Sequence, residues 1–279
     1  MLDYDKEADA YDASRGGEAR AGAAARAVLD LIPEGPGRLL DVACGTGIVT
    51  RRLAADRPAL RVTGADLTPA MVSWAGARLP GAVVRADSRR LPFPAGTFHA
   101  VTSIWLLHLL EDPEDVHAIV AECARVLRPG GVYVTTVDKA DAHDVGSDID
   151  AVLASRPRRP APDAAASVTA HAGRHGLRPA GDTAFRGVGQ GRSPRATIAD
   201  LRRGWFTMLP PGEARTEEFA TRLAGLPGQD HPRPDPVFAL RAYQKPAGAQ
   251  EFVWDRDNFR ADGDDWEVTP SVLPGRRAT

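Results

Sequence analysis

Residues 39–50 read Leu39-Leu-Asp-Val-Ala-Cys-Gly-Thr-Gly-Ile-Val-Thr50, an apolar strand followed by a glycine-rich turn and the start of a helix. Gly45 and Gly47 allow the backbone to bend sharply and to approach a ligand closely. The amide groups at the start of the helix would face that ligand. Asp66 lies 19 residues after Gly47, at the end of the next predicted strand. A carboxylate at that place can accept hydrogen bonds from the hydroxyl groups of an adenosine ribose.

Two other interpretations of this turn stay open from the residues alone. A Gly-x-Gly turn also occurs in α/β folds that bind no nucleotide. A dinucleotide-dependent dehydrogenase would carry a third glycine, but Thr50 stands at that position. Asp41, near the end of the first strand, is a poor neighbour for a pyrophosphate and suits a ligand with an ammonium group.

Short apolar runs alternate with helical patterns along the chain. This alternation predicts a parallel sheet covered by helices on both faces. Thr68-Pro69 and Asp112-Pro113 each place a capping residue before a proline that suits the first helical position. Residues 138–162 break this alternation, and residues 156–162 are predicted to be a loop or linker. The predicted strands are 38–43, 61–66, 82–86, 98–104, 131–137, 182–188 and 237–244, and the predicted helices are 17–32, 46–56, 69–78, 113–127, 163–175 and two within 194–228, of which one carries Trp205, Phe206 and Met208.

Composition and charge argue against several classes of protein. The net charge of −2 gives no bulk electrostatic reason to expect a nucleic-acid partner. No apolar run approaches the roughly 20 residues that span a bilayer, and the acidic first residues are unlike a signal peptide. Cys44 and Cys123 are predicted to be free thiols. We therefore expect a cytoplasmic protein that needs neither nucleic acid nor membrane.

Five ordered motifs resemble those of the class I S-adenosylmethionine-dependent methyltransferases. Within that class the similarity is greatest to the ubiquinone/menaquinone C-methyltransferases and to small-molecule methyltransferases of natural-product biosynthesis. The motifs are Asp41–Gly47, Gly64–Met71, Arg85–Phe93, Phe98–His108 and Leu127–Gly131. The resemblance is strong over residues 4–137, moderate over 163–245 and absent beyond.

The resemblance implies a Rossmann-like, doubly wound α/β fold. Its sheet would have seven strands, mostly parallel with an antiparallel last strand, and it would carry a helical cap. The methyltransferase domain would cover residues 1–245, with the cap formed by about 1–32 and 190–230. Residues 246–279 would be a C-terminal extension, either disordered in part or packed on the core as a strap.

The resemblance also implies S-adenosylmethionine as cofactor, S-adenosylhomocysteine as product, and no metal. Asp66 would bind the ribose, with Leu67 on the adenine ring. Asp87 would accept a hydrogen bond from the adenine amino group, and Ile104 would lie near the sulfonium. The implied cofactor-binding residues are Tyr11, Arg15, Asp41, Ala43, Gly45, Gly47, Asp66, Leu67, Met71, Asp87, Ser88 and Ile104.

His108 is the first candidate for a catalytic base, because it follows the fourth strand at the edge where such folds bind ligands. A hydrogen-bonded structural histidine is the alternative. Tyr11 is a second catalytic candidate, and His143 and Asp138 are weaker candidates for the base. The i, i+4 pair His171 and His175 lacks a third metal ligand. Candidate substrate-binding residues are Trp105, His108, Trp205, Phe206 and Met208, although a helix merely buried on the sheet would also explain the last three.

We therefore expect transfer of a methyl group from S-adenosylmethionine to a small molecule, aromatic or partly apolar, by a monomer or homodimer. An NAD(P)-dependent oxidoreductase and a cofactor-binding fold without methyl-transfer activity are the alternatives. The sequence leaves open whether carbon, oxygen or nitrogen is methylated.

Overall fold

The computed structural model describes residues 11–13, 15–206 and 208–247. Seven strands in this part form one sheet in the order β3-β2-β1-β4-β5-β7-β6. All neighbours are parallel except the pairs that β7 makes with β5 and β6. The predicted fold class is therefore confirmed. The strands are β1 (Gly37–Val42), β2 (Leu60–Asp66), β3 (Val83–Arg85), β4 (Phe98–Ser103), β5 (Leu127–Val137), β6 (Arg178–Arg186) and β7 (Val237–Gln244).

Helices cover both faces of the sheet. Leu39 and Leu40 of β1 face opposite sides because successive side chains alternate along a strand. The helices are α1 (Gly17–Asp30), α2 (Ile48–Asp56), α3 (Pro69–Arg78), α4 (Pro113–Val126), α5 (Asp148–Leu153), α6 (Ala165–Arg174), α7 (Pro194–Arg202) and α8 (Ala214–Ala224). Leu39 belongs to a buried cluster with α1 and α2, and Leu40 belongs to a second buried cluster with α4 and α6.

A third, smaller apolar cluster joins α5, α7 and α8. Residues 156–162 contain no helix or strand, as predicted, but no pattern in the sequence indicated α5, which lies within 138–162 and begins with a capping box. The Ser147 hydroxyl accepts a hydrogen bond from the Asp150 amide, and the Asp150 carboxylate accepts one from the Ser147 amide at 2.9 Å. A short helix with so strong a start forms without a long apolar repeat.

The helix predicted to carry Trp205 and Phe206 was also wrong, since α7 ends at Arg202. Gly204 has φ 79, its amide donates to the Leu201 carbonyl, and the Trp205 amide donates to the Asp200 carbonyl. This pair of hydrogen bonds is a Schellman motif, which ends a helix at a left-handed glycine. The aromatic residues therefore lie in the loop after α7.

Three further predictions concern the chain as a whole. Cys44 and Cys123 are buried free thiols, as expected. Within the described ranges, no helix has the length and apolar character needed to cross a bilayer. The predicted C-terminal extension lies outside the described residues except for Pro246 and Ala247.

The start of α4 gives a test of local stability. The Asp112 carboxylate accepts a hydrogen bond from the Glu114 amide at 2.9 Å. We expect Asp112→Ala to lower the free energy of unfolding by about 1 kcal/mol, because the amide loses its acceptor. Chemical denaturation measures this change. Glu213→Ala is the matched control, since Glu213 precedes α8 at the same position without a capping bond. Equal losses in both variants would contradict the assignment.

Candidate active site

Three non-glycine residues with positive φ lie just beyond three adjacent strands. Ala43 (φ 56) follows β1, Trp105 (φ 58) follows β4, and Asp138 (φ 50) follows β5. Such backbone conformations cost energy for residues with a side chain, and they cluster at functional sites. The strand order reverses between β1 and β4. Ligands bind at the carboxyl edge of a parallel sheet at such a point, so this edge is the candidate site.

The glycine-rich turn after β1 combines open space with close packing. Gly45 has φ 56, and a Cβ atom added there would have no neighbour within 4 Å. Gly47 has φ 75, and an added Cβ would lie 2.9 Å from the Ala75 side chain of α3. Gly47 therefore lets the turn pack on α3, and Gly45 leaves room for a ligand.

Asp66 holds this turn to the end of β2. Its Oδ2 atom accepts a hydrogen bond from the Gly45 amide at 2.8 Å, and its Oδ1 accepts from the Thr68 amide at 2.9 Å. The residue is only 7% exposed, and burial raises its pKa. A carboxylate can accept about four hydrogen bonds, so acceptor positions are left for a ligand.

Asp41 is a buried carboxyl group without a basic partner. It is 3% exposed and accepts a hydrogen bond from the Thr50 hydroxyl at 2.6 Å. Burial raises its pKa to about 7; the bond from Thr50 opposes this change and the nearby Asp66 adds to it. No lysine, arginine or histidine of the described chain forms an ion pair with Asp41. Its surroundings suit a ligand that brings a positive charge.

The other residues predicted to bind the cofactor lie in three different environments. Leu67 is 54% exposed beside Asp66, so its side chain is free to pack on a ring. Asp87 forms a bidentate pair with Arg89 at 3.0 and 2.7 Å, which lowers the pKa of Asp87. Ser88 follows it and is half-buried. Met71 and Ile104 are buried.

The described residues before α1, 11–13 and 15–16, form the N-terminal segment, which binds directly to the glycine-rich turn. Asp12 accepts a hydrogen bond from the Thr46 hydroxyl at 2.6 Å and forms an ion pair with Arg78, also at 2.6 Å. Arg78 in turn donates to the Thr46 carbonyl at 2.7 Å. Neither Asp12 nor Arg78 was predicted from the sequence. Asp12 directly follows the predicted site residue Tyr11, but the partners of Asp12 lie far along the chain.

A cavity of about 910 Å³ opens at the same edge of the sheet. The N-terminal segment, the residues after β4 and β5, and the loops on either side of α7 contribute to its wall. It brings together the predicted residues Tyr11, Arg15, Trp105, His108, Trp205, Phe206 and Met208. The carboxylates at the ends of β1 and β2 are outside this wall, so the predicted cofactor residues divide between two places: Tyr11 and Arg15 lie with the substrate candidates in the cavity.

The aromatic rings of this cavity hold guanidinium groups. The Arg20 guanidinium carbon lies 4.0 Å from the Trp105 ring centroid, and that of Arg15 lies 4.6 Å from the Trp205 ring centroid. Cations are attracted to indole faces at such distances. Arg20 was not predicted from the sequence; of the two arginines in α1, it is the one buried among alanines.

His108 lines the cavity and is held in its neutral form. Its Nδ1 atom is buried and has no hydrogen-bond partner. Burial keeps its pKa well below the ordinary value, and the charges of Lys139, His143 and Arg15 act in the same direction. A neutral imidazole can accept a hydrogen bond or a proton from a ligand.

The other candidates for a base fit less well. The Asp138 carboxylate accepts a hydrogen bond from the Ala165 amide at 2.9 Å and so caps α6. Burial lowers the pKa of His143 to about 2, with Arg192 as the next cause.

The histidine pair considered as metal ligands lies at the end of α6. His171 lies beside His117, with 3.3 Å between their Nδ1 atoms. Across the described residues, no group of three histidine, cysteine or acidic side chains could hold a metal ion.

Comparison with known proteins assigns the class. Residues 40–135 match the family model described as "Methyltransferase domain". The C-methyltransferase UbiE of ubiquinone/menaquinone biosynthesis from Desulfotalea psychrophila is 37% identical over 100 residues, which are 35% of this chain and 39% of that protein. The demethylmenaquinone methyltransferase of Thermus thermophilus is 40% identical over 114 residues, which are 39% and 50% of the two chains. The chain thus spans half or less of the length of these relatives.

Solved structures share the whole fold at low sequence identity. A chain of the Haloferax volcanii complex that contains the Trm112 methyltransferase activator has a TM-score of 0.56 at 20% identity, over 88% of this chain and 99% of that one. The [4+2]-cyclase SpnF has a TM-score of 0.55 at 21% identity, over 88% and 94%. Residues 40–135 therefore match a methyltransferase domain, and the fold of the chain is shared with these solved structures. The predicted resemblance is confirmed.

The buried Asp41 gives a test in the absence of ligand. A carboxyl group with a raised pKa stabilises the fold at acidic pH, and this contribution is lost as the pH rises through the folded value. We expect the free energy of unfolding to fall between pH 3.8 and about 7, and Asp41→Asn to flatten this dependence. The full shift corresponds to about 4 kcal/mol.

Chemical denaturation at a series of pH values measures this profile. Asp87→Asn is the control, because the pKa of Asp87 is lowered and its loss leaves this pH interval unchanged. Identical profiles for Asp41→Asn and the wild-type protein would show that Asp41 is not the group that titrates.

Proposed function

We propose that the chain transfers a methyl group from S-adenosylmethionine to a small-molecule acceptor. The observation that carries this proposal is the arrangement at the ends of β1 and β2, where two buried carboxylates flank an open glycine turn. S-adenosylmethionine supplies a methyl group that its sulfonium centre has already activated. The matched methyltransferase domain includes both carboxylates and the turn.

The residues at this place fit the cofactor. Asp41, which has no basic partner, would pair with the ammonium group of the methionine part. Asp66 has acceptor positions left for the two ribose hydroxyls. The open space at Gly45 leaves room beside them. Leu67 would pack on the adenine ring. Asp87 would accept a hydrogen bond from the adenine amino group and would remain paired with Arg89.

The cavity is the proposed acceptor site. Its volume of about 910 Å³ lies in the usual range for small-molecule pockets. The relatives named for ubiquinone and menaquinone biosynthesis support an aromatic or partly apolar acceptor. Trp105 and His108 follow β4, beside the cofactor residues, and would lie closest to the transferred methyl group. The protein would act in the cytoplasm as a monomer or homodimer, without nucleic acid.

The side chains of the cavity would orient the acceptor and exclude water. Displacement at an activated methyl group depends chiefly on alignment, and a base is needed only when the acceptor must lose a proton. The neutral His108 would accept that proton. The N-terminal segment, held at Asp12 by Thr46 and Arg78, would cover the site from above the turn.

The oxidoreductase alternative has less support. Thr50 stands at the place of a third glycine, and its hydroxyl donates to Asp41. A pyrophosphate beside that turn would therefore meet a buried carboxylate. Calorimetric titration with S-adenosylhomocysteine and with NAD separates the two cofactors.

A screen of small molecules with methyl-labelled S-adenosylmethionine tests the proposal directly. NMR of the product would show which atom has received the methyl group. Transfer to at least one acceptor is the expected result. Tight binding of S-adenosylhomocysteine without transfer to any acceptor would favour a cofactor-binding fold that lacks this activity.

The glycine turn gives a sharper test of cofactor binding. We expect Gly45→Val to abolish binding of S-adenosylhomocysteine, because the side chain would fill the open space beside the turn. Gly81→Val is the matched control: Gly81 also has positive φ (73) and no neighbour within 4 Å, but lies before β3. Both variants carry a similar backbone strain. Calorimetry should show binding lost only in the first, and normal binding by Gly45→Val would exclude this turn.

His108 gives a test of acceptor chemistry. We expect His108→Ala to lower turnover while the affinity for S-adenosylhomocysteine stays within a few-fold. Loss of a base should cost about 10²–10⁴ in rate, and less at high pH, where the acceptor ionises unaided. Loss of an orienting contact would appear mainly in KM. Steady-state kinetics between pH 6 and about 9 distinguish them, and wild-type rates throughout would leave His108 with a structural role only.

A further inference from the structure

The cavity wall has an excess of basic side chains. Seven basic and four acidic residues line it, although the whole chain has a net charge of −2. Arg15, Arg20, Lys139 and Arg192 form no ion pair with any described carboxylate. We call these four residues the basic cluster.

Arginines elsewhere in the protein do find acidic partners. Arg233 pairs with Asp148 at 2.7 Å, although its side chain is only 15% exposed. Arg195, three residues after Arg192, pairs with Asp230 at 2.6 Å on the surface. Outside the cavity, the described arginines without an acidic partner are exposed or donate to backbone carbonyls. The arginines of the basic cluster differ because they are shielded from solvent and have neither kind of partner among the described residues.

Burial makes this lack of partners costly. Arg20 is 6% exposed, and its Nε atom is buried without a hydrogen-bond partner. A buried guanidinium without a counter-charge is destabilising. Burial lowers the pKa of Arg20 to about 10, so the side chain still carries its charge at neutral pH.

The four cations are also close enough to repel one another. Burial, followed by the charges of Arg15 and Arg192, lowers the pKa of Lys139 to about 8. Asp163 opposes the repulsion at Lys139, Asp12 opposes it at Arg20, and Asp200 and Asp150 oppose it at Arg192. None of these carboxylates is within ion-pair distance of the cation that it faces, and burial raises the pKa of Asp163 and Asp200.

We infer that the acceptor carries an anionic group, a carboxylate or a phosphate, and that this group binds among Arg15, Arg20, Lys139 and Arg192. The inference rests on the proposed function, because it treats the cavity as the acceptor site. An anion there would supply the missing counter-charge and would satisfy the buried Arg20 Nε atom.

The aromatic rings support this geometry. Trp105 and Trp205 each hold one guanidinium over an indole face. A guanidinium fixed by its face keeps its N–H edge for a carboxylate or phosphate, which accept two parallel hydrogen bonds. Phe206, close to Arg192, adds apolar surface for the rest of the acceptor.

The cofactor does not account for the whole cluster. Its methionine part has one carboxylate, which Tyr11 and Arg15 are implied to cover, and that carboxylate is accompanied by an ammonium group. Arg20, Lys139 and Arg192 would remain without a counter-charge. For this reason the test is built on Arg192 and Arg20.

Three probes of similar size test the inference in the full chain, saturated with S-adenosylhomocysteine. They are phenyl phosphate, benzoate and the neutral benzyl alcohol. We expect calorimetry to show that at least one anionic probe binds about tenfold or more tightly than benzyl alcohol. Whichever of phenyl phosphate and benzoate binds more tightly shows whether the acceptor's anionic group is a phosphate or a carboxylate.

Two variants and a control localise the binding. Arg192→Gln and Arg20→Gln should each weaken binding of the anionic probe about tenfold or more. Both variants should leave the affinity for S-adenosylhomocysteine within a few-fold of the wild-type value. Arg195→Gln should change neither. Arg192 is the less buried of the two, so its variant keeps the test valid if Arg20→Gln fails to fold, which circular dichroism would show.

Equal affinity for the three probes, including no binding by any at millimolar concentration, would overturn the inference. Anion binding that neither variant weakens would do the same. Failure of the proposed function has a different signature: either S-adenosylhomocysteine itself would not bind, or no acceptor would be methylated, whether or not the anionic probes bound.

Discussion

The hydrogen bond from the Gly45 amide to the Asp66 carboxylate, at 2.8 Å, ties the turn after β1 to the end of β2. It fixes a turn whose residues 43, 45 and 47 all have positive φ, and it brings Asp66 near the buried Asp41. The same carboxylate is a structural acceptor and a candidate ligand for the ribose. These two neighbouring buried acids repel each other when both are ionised. A ligand with a positive charge relieves that repulsion, so the fold itself favours a cationic cofactor.

The N-terminal segment joins this turn to the cavity. Asp12 holds it to Thr46 and Arg78, and three residues later the Arg15 carbonyl accepts a hydrogen bond from the Gln190 side chain at 3.3 Å. A Cβ atom added at Gly16 would lie 2.2 Å from the Val188 carbonyl oxygen, so the chain fits there only with glycine. The glycine-rich turn and the acceptor cavity therefore both contact the N-terminal segment. Arg15, in this segment, and Arg20, in the helix that follows it, line the cavity.

Local patterns predicted the sheet well and the site in part. Strands β1, β2 and β4 were predicted within one residue at each end, because their apolar runs are buried on both faces. The range predicted for β6 was displaced toward the C-terminus, since it is an edge strand with mostly exposed side chains and a shifted register near Pro179. The motif residues lie where the sequence implied. Contacts between distant residues, such as Asp12 with Arg78, leave no periodic signal in the sequence.

The basic cluster shows a further limit of sequence patterns. Trp205, Phe206 and Met208 predicted an apolar pocket, but folding also places a guanidinium on Trp105 and on Trp205, so the cavity wall is both aromatic and basic. The members of the basic cluster come from three separate parts of the chain, and the overall charge of −2 conceals them. The cluster also acts on His108, whose pKa is lowered by burial and then by Lys139. A bound anionic group would oppose that charge and raise the pKa of His108 toward its ordinary value. If the acceptor brings this group, His108 becomes a stronger proton acceptor only once the acceptor is in place.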